Sequence, residues 1–422
     1  SIFYCFFSQK ADGKIGIAGI KIEPRVNVTY SYDDNYRFTE KKESAYTINV
    51  SPSLDFSYEK GIAEIRLNLR SPYRYFSEST GKKSKFQDTF YEAEMTVRLP
   101  ARIKLHLEDN FVSTELSPFL TKEKFDRTDR SENRFAGDIF MPIGTMFDVF
   151  FNYRNENYRY IDKSNTFFSF SKNNRKLDNM NIRLGFKPVK DTSFFVRYWY
   201  QRNLYKNDPL RDSQSRQVNY GIQQSIGDFI RINAQIGTGK RKANSVSRPE
   251  DDRLTWSTGV FLALTDRLSL YYNVNRTVTD TSYKNVKKEN TRRTLSMFLS
   301  LRGKLTDHSD IDIIAGRTRN WTNSVNGGNS VFKNITVRLD NQFFERIRNE
   351  IEYRFGLNEF EGGGFFFGSV KRKDRRWNIE DNLNFRISRK TNLRFGYLHE
   401  KRTSFFGSFV RNRYTFSINF TY

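Results

Sequence analysis

Tyr414-Thr-Phe-Ser-Ile-Asn-Phe-Thr-Tyr422 is the stretch that decides the fold. Tyr414, Phe416, Ile418, Phe420 and Tyr422 occupy one parity, and Thr415, Ser417, Asn419 and Thr421 the other. Strict period two describes a strand whose two faces meet different solvents. The pattern recurs through the chain. Tyr46, Ile48, Val50, Pro52, Leu54 and Phe56 alternate with Thr47, Asn49, Ser51, Ser53 and Asp55. Ala63, Ile65, Leu67 and Leu69 alternate with Glu64, Arg66, Asn68 and Arg70. Later, Ile351, Tyr353, Phe355 and Leu357 alternate with Glu350, Glu352 and Arg354. A charge at every second position does not suit a dry sandwich core, but a water-filled lumen tolerates it.

Composition agrees with this division. Mean hydropathy is −0.72 and 28% of residues are charged, values that suit a soluble or disordered chain. The chain nevertheless holds 40 Phe and 23 Tyr with only 9 Pro, and disorder is depleted in such residues. Half-wet, half-apolar strands satisfy both observations. No run reaches the 18 or so apolar residues of a spanning helix, and no stretch shows helical periodicity.

Connections supply a second signal. Tight turns at Glu59–Gly61, Pro100-Ala101, Pro142–Thr145, Lys190-Asp191, Gly227-Asp228, Thr265-Asp266, Leu305–His308, Glu345-Arg346 and Ser388–Thr391 alternate with longer polar stretches. The alternation predicts an all-β, transmembrane, antiparallel up-and-down β-barrel of about 20 strands, with 18 the next count. It also predicts short turns in the periplasm, long loops outside and both termini periplasmic. Residues 14–422 form the single barrel domain. Residues 1–13, with the apolar run Ile2–Phe7, read as a signal-peptide remnant or N-terminal extension. Cys5 is the only cysteine, so no disulfide framework exists within one chain.

The net charge of +23 raises nucleic-acid binding. The cations are scattered along the polar parity, and most aromatics lie on the other face, so no basic groove with stacking rings results. The polar parity instead defines candidate lumen contacts for anions or other solutes: Arg66, Arg70, Arg98, Arg102, Lys104, Arg183, Arg197, Arg231, Arg354, Arg386 and Arg394, with Glu92, Glu94, Glu350 and Glu352. Excess arginine in a lumen favours anions, unless these charges merely neutralise one another. Phe150, Trp199 and Tyr271 fall on the same parity and are candidates for stacking on sugar rings. Tyrosines on the apolar parity suit girdles at the lipid–water boundary. The Glu361–Gly368 loop carries three consecutive Phe residues and suits a constriction, a partner contact or a hairpin tip against lipopolysaccharide.

No sequence motif for catalysis, metal or nucleotide binding is present. His106, beside Lys104 and Glu108, reads as a polar wall residue, so the chain is expected to be no enzyme and to use no cofactor or metal.

Two resemblances add to this reading. A terminal aromatic strand resembles the C-terminal signal of bacterial outer-membrane proteins, which implies insertion by the barrel-assembly machinery. Ile20-Lys-Ile-Glu-Pro-Arg-Val-Asn-Val-Thr-Tyr-Ser-Tyr-Asp-Asp-Asn35, followed by Asn49-Val-Ser-Pro-Ser-Leu-Asp-Phe-Ser-Tyr-Glu-Lys-Gly61, resembles the opening of outer-membrane β-barrel porins found with exopolysaccharide gene clusters. The resemblance is strongest over residues 20–76. It implies a porin-like channel contacting outer-membrane lipid and lipopolysaccharide, with polysaccharide-export components as partners. A structural or partner-binding barrel with an occluded lumen is the alternative.

Overall fold

In the computed structural model, the described residues are 8–9, 15–17, 19–37, 42–78, 83–116, 128–162, 174–243, 251–280, 291–322, 329–361, 372–404 and 407–421. They form a closed antiparallel barrel of twenty strands. In chain order these are β1 (Ile20–Asp33), β2 (Ala45–Lys60), β3 (Ala63–Arg70 continuing as Tyr73–Glu78), β4 (Lys83–Gln87 continuing as Thr89–Arg98) and β5 (Lys104–Leu116). Next come β6 (Thr128–Ile143), β7 (Phe147–Asp162), β8 (Arg175–Val189), β9 (Thr192–Tyr205), β10 (Ser213–Ile226), β11 (Ile230–Ala243) and β12 (Asp251–Thr265). The last eight are β13 (Leu268–Asp280), β14 (Thr291–Thr306), β15 (Ser309–Thr322), β16 (Asn329–Phe344), β17 (Ile347–Glu361), β18 (Arg372–Arg386), β19 (Thr391–Ser404) and β20 (Gly407–Thr421). Ser8–Gln9 and Ile15–Ile17 add a short ribbon beside Ile20–Ile22.

Closure is made by the alternating C-terminal strand, β20, pairing with β1. Tyr414 pairs with Tyr32, Phe416 with Tyr30, Ile418 with Val28 and Phe420 with Val26. Behind them Thr29 Oγ1 and Ser417 Oγ lie 2.9 Å apart, and Asn27 donates to Asn419. Apolar pairs on one face and polar pairs on the other hold the first and last strands in a single register, since a one-residue slip would exchange the faces.

The distribution of side chains is inverted relative to a water-soluble protein. Among the described residues only seven apolar side chains are buried, while forty-five large apolar ones are exposed. Buried groups include Glu400, Glu352, Asp148, Glu156, Asn35 and Asn219. A water-soluble protein rarely exposes more than a few hundred Å² of contiguous apolar surface. This belt runs right round the cylinder, with Val26 and Tyr46 on the first strands, Leu184, Tyr220 and Ile236 in the middle, and Phe395 and Phe420 on the last. It is the surface that faces lipid.

Strand tilt follows from the register. A row of paired residues starting at Ile22, near one end of β1, passes through Phe56, Leu67, Ala93, Asp109, Phe135, Asn155, Asp178, Arg202 and Gln214. It reaches Lys242, near the opposite end of β11. With neighbouring strands about 4.8 Å apart and tilted by roughly 40°, twenty strands enclose a cylinder of roughly 20 Å radius at the backbone. One end carries tight turns such as Gly61-Ile62, Asp266-Arg267 and Glu345-Arg346. The long connections share the other end, here called the loop end.

Two irregularities interrupt the ladder on β3 and β4. Pro72 has no N–H to donate, so the ladder breaks there, and Asp88 N donates to the Pro72 carbonyl at 2.9 Å to keep the strands aligned. At the loop end Tyr36 packs edge-on against Phe76, with centroids 5.5 Å apart, over buried Ala45. Burial, together with a hydrogen bond to Glu78, pushes the Tyr36 phenol above the usual tyrosine range.

Candidate functional site: the charged lumen

Parity assigns the inward residues, because every strand that turns an apolar row to the belt turns its other row to the axis. Arg66, Arg70, Arg98, Glu92 and Glu94 lie on the inward rows of β3 and β4, with Lys104 on that of β5. Arg183, Arg197, Phe150 and Trp199 lie on those of β7 to β9, Arg231 on that of β11 and Tyr271 on that of β13. Glu350, Glu352, Arg354, Arg386 and Arg394 lie on those of β17 to β19. Arg102 stands apart. It belongs to the Pro100–Arg102 turn between β4 and β5, where Ala101 and Arg102 both adopt positive φ, 60° and 62°. Two successive left-handed residues make the tight reversal that joins the two strands.

The inward face divides into three walls of different chemistry. On β3 to β5, Glu64 bridges Arg66 at 2.5 Å and Arg98 at 3.4 Å, and Arg70 lies 5.6 Å from the centroid of Phe90. His106 Nδ1 meets Thr96 Oγ1 at 3.0 Å.

The wall of β14 to β20 is densely ion-paired. Arg302 pairs with Asp312 at 3.5 Å, and Arg338 with Glu350 at 3.4 Å and Glu352 at 2.6 Å. Arg354 also pairs with Glu352. Arg394 Nε donates to Asn382 Oδ1 at 3.1 Å. Nearer the loop end, Glu400 is 1% exposed and joins Arg376 at 2.5 Å to Arg411 at 3.0 Å. The alternation marks Glu400 as inward, three positions from the exposed belt residue Tyr397 on the opposite row, yet its deep burial comes from three strands converging on it and is not legible locally.

The third wall, β7 to β12, carries few acids. Phe195 is 7% exposed and lies flat on Gly221, where an added Cβ would overlap its ring. The guanidinium carbons of Arg183 and Arg197 lie 4.8 Å and 5.5 Å from its centroid. Gln217 Nε2 donates to Asn219 Oδ1 at 2.7 Å and Thr255 Oγ1 at 2.5 Å. Further round, Arg231 lies 5.7 Å from the Phe261 centroid, and Tyr271 packs at 6.0 Å against Phe298. Phe150 and Trp199 therefore share a wall, while Tyr271 belongs to a separate aromatic group four strands away from β9. The Glu361–Gly368 loop lies outside the described residues, apart from Glu361 itself at the end of β17.

Gly221→Val is expected to displace the Phe195 ring and cost about 1–3 kcal/mol by overpacking. The urea midpoint for unfolding from lipid vesicles measures this, and an unchanged midpoint would show that the ring has room to move.

Comparison with known proteins places this geometry. No protein-family model matches the chain, and no curated protein does. Solved structures do match. The FrpB iron transporter of Neisseria meningitidis, in its apoprotein form, superposes with a TM-score of 0.60 at 8% identity, over 95% of this chain and 81% of that one. The siderophore receptor PirA of Acinetobacter baumannii gives 0.55 at 8% identity, over 97% and 82%. The ferric yersiniabactin uptake receptor FyuA of Yersinia pestis gives 0.52 at 8% identity, over 94% and 80%. At such identities the likeness speaks for the fold. The closed cylinder, the apolar belt and these neighbours define an integral β-barrel of the outer-membrane type.

Proposed function

We propose that this chain is an outer-membrane transport pore, with short turns and both termini in the periplasm and long loops outside. Its charged lumen passes small hydrophilic solutes. The observation that carries this reading is the twenty-strand closure around a polar, charged inner face. Barrels of 16 to 18 strands already leave an aqueous channel. Inward side chains reach roughly 6–7 Å from a backbone at roughly 20 Å radius, so twenty strands leave ample width for hydrated solutes. Assistance of polysaccharide export, implied by the resemblance over residues 20–76, belongs to the same reading, because a growing glycan also needs a wide hydrated path. The described lumen groups are mainly arginines, carboxylates, amides and rings, which suit binding and passage.

Purified protein in planar bilayers is expected to give stepwise conductance with a reversal potential favouring anions, since arginines exceed the acids on the wall of β7 to β12. Silence at every voltage, relieved by deleting loop segments, would favour an occluded barrel. A cation preference would remove any selective role for the lumen arginines.

A further inference from the structure

We infer that the inward wall of β7 to β11 is a binding strip for oligosaccharides bearing carboxylates, an inference that deepens the pore reading and rests on it. Arg183 and Arg197 sit directly opposite each other across β8 and β9. Like charges in that position repel, and among the described residues neither has a carboxylate partner. Arg154, on the inward row of β7, has none either. Among the described residues, the only side-chain hydrogen bond from the facing pair is Arg183 Nη2 to Gln223 Oε1, at 3.4 Å. The Nε atoms of all three are buried without a partner. On the walls of β3 to β5 and β14 to β20 most arginines instead have a carboxylate such as Glu64, Asp312, Glu352 or Glu400 in ion-pairing range, Arg70 and Arg394 being exceptions. A concentration of unneutralised arginine on one wall therefore calls for an anion from outside the chain.

The surrounding groups say which anion. Phe195, held flat by Gly221, has both guanidinium groups stacked near its ring. Apart from the bond to Gln223, the Nη edges of the two guanidinium groups carry no hydrogen bond among the described residues and are the donors open to a ligand. Those edges form the fork that matches a planar carboxylate in two hydrogen bonds. A bare inorganic anion would need nothing more. Yet Trp199 stands one inward position beyond Arg197 on the same strand, and Phe150 sits directly opposite Arg183. Beside Trp199, Gln217 is fixed by its bonds to Asn219 and Thr255. Aromatic faces take the apolar side of a pyranose ring, and fixed amides take its hydroxyls. Arg154 lies four residues along β7 from Phe150, roughly 13 Å nearer the loop end. A ligand touching it and the Arg183–Arg197 pair must be an oligomer.

The test uses the full-length protein in planar bilayers, with α-1,4-linked galacturonic acid oligosaccharides, neutral malto-oligosaccharides of equal length, and monomeric galacturonate. The acidic oligomer is expected to interrupt the current at concentrations at least tenfold below the neutral one and the monomer. The double variant Arg183→Gln/Arg197→Gln is expected to raise its half-blocking concentration at least tenfold. Phe195→Leu, which keeps both charges and removes the platform, is expected to raise it severalfold. Heat-dependent mobility on gels verifies that each variant is folded, and quenching of tryptophan fluorescence in detergent reads binding without current. Equal block by neutral and acidic oligomers overturns the site and leaves the pore standing, as does an unchanged response of the double variant. Fluorescence binding of the acidic oligomer by a protein that never conducts overturns the pore and leaves the site.

Discussion

Glu400→Ala is expected to destabilise the folded barrel by about 3 kcal/mol, at the lower end of what removing one partner of a buried ion pair costs. Glu400 is 1% exposed and lies between Arg376 at 2.5 Å and Arg411 at 3.0 Å. The two arginines differ in what they lose. The Arg376 side chain is 62% exposed and would be resolvated by lumen water, whereas that of Arg411 is 15% exposed. Asp33, 3.6 Å from Arg411, keeps part of the compensation, which holds the expected cost near the bottom of the range. Because Asp33 lies on β1, Arg411 on β20 and Arg376 on β18, the cluster also ties the closing strands to the wall behind them. Urea unfolding from lipid vesicles gives the measurement. A loss below 1 kcal/mol would mean that the lumen water screens this cluster as it would a surface pair. Glu400→Gln, which keeps the shape and a hydrogen-bonding oxygen, is expected to cost less than the alanine.

The strand count, the closure and the sense of the two faces were legible because period two is a local property. Each strand states its own parity, and a belt in contact with lipid enforces it at almost every position. The exceptions fall where neighbouring strands supply what lipid cannot. Asp109 faces outward on β5 and accepts from Tyr91 at 3.1 Å. Asp178, outward on β8, accepts from Tyr153 at 3.0 Å and Asn155 at 2.5 Å. Asp381, outward on β18, accepts from Asn349 at 2.6 Å. Each of these carboxylates breaks the apolar pattern of its own strand, and its partners are separated from it by 18 to 32 residues in sequence. No local reading finds such contacts.

The candidate site shows the same limit. Parity placed Arg183, Arg197, Trp199 and Phe150 on inward rows, but it could not distinguish an arginine neutralised by Glu352 from one stacked on Phe195. That distinction depends on which residues stand opposite across strands, and hence on turn lengths and register. Gly221 is the clearest case. In sequence it is a single glycine within a strand, a feature that suggests close approach of another group. Only the register with β9 identifies that group as Phe195.

The asymmetry between walls has a physical consequence for passage. Counting round the closed cylinder, β8 and β9 lie across the axis from β18 and β19. A wall of stacked, unneutralised arginines therefore faces one whose charges are largely paired. In the proposed pore, an anion crossing the lumen would feel attraction to one side, not a symmetric ring, and would be drawn along that wall. Multiple weak contacts along such a wall favour entry without trapping the solute.

Two neighbouring positions on β14 test the division of faces most directly. Leu299 lies at the middle of the strand, is 40% exposed, and pairs with Tyr272 and Ala315 in the apolar belt. Ser300 follows it on the inward row, opposite Tyr271, and its hydroxyl donates to Asp312 at 3.2 Å. Leu299→Arg is expected to destabilise the inserted barrel by about 2–4 kcal/mol, the cost of a cation near the bilayer midplane. Ser300→Arg places the same side chain one residue away, in water and close to a carboxylate. Its expected cost is under about 1 kcal/mol, since wet charges of opposite sign in proximity are close to neutral in stability. Unfolding from vesicles reads both variants against the same parent. Comparable losses at the two positions would mean that the belt does not meet hydrocarbon, and a larger loss at Ser300 would mean that the inner face is dry. A gap of at least 1 kcal/mol in the stated direction is the result required by a wall one residue thick with oil on one side and water on the other.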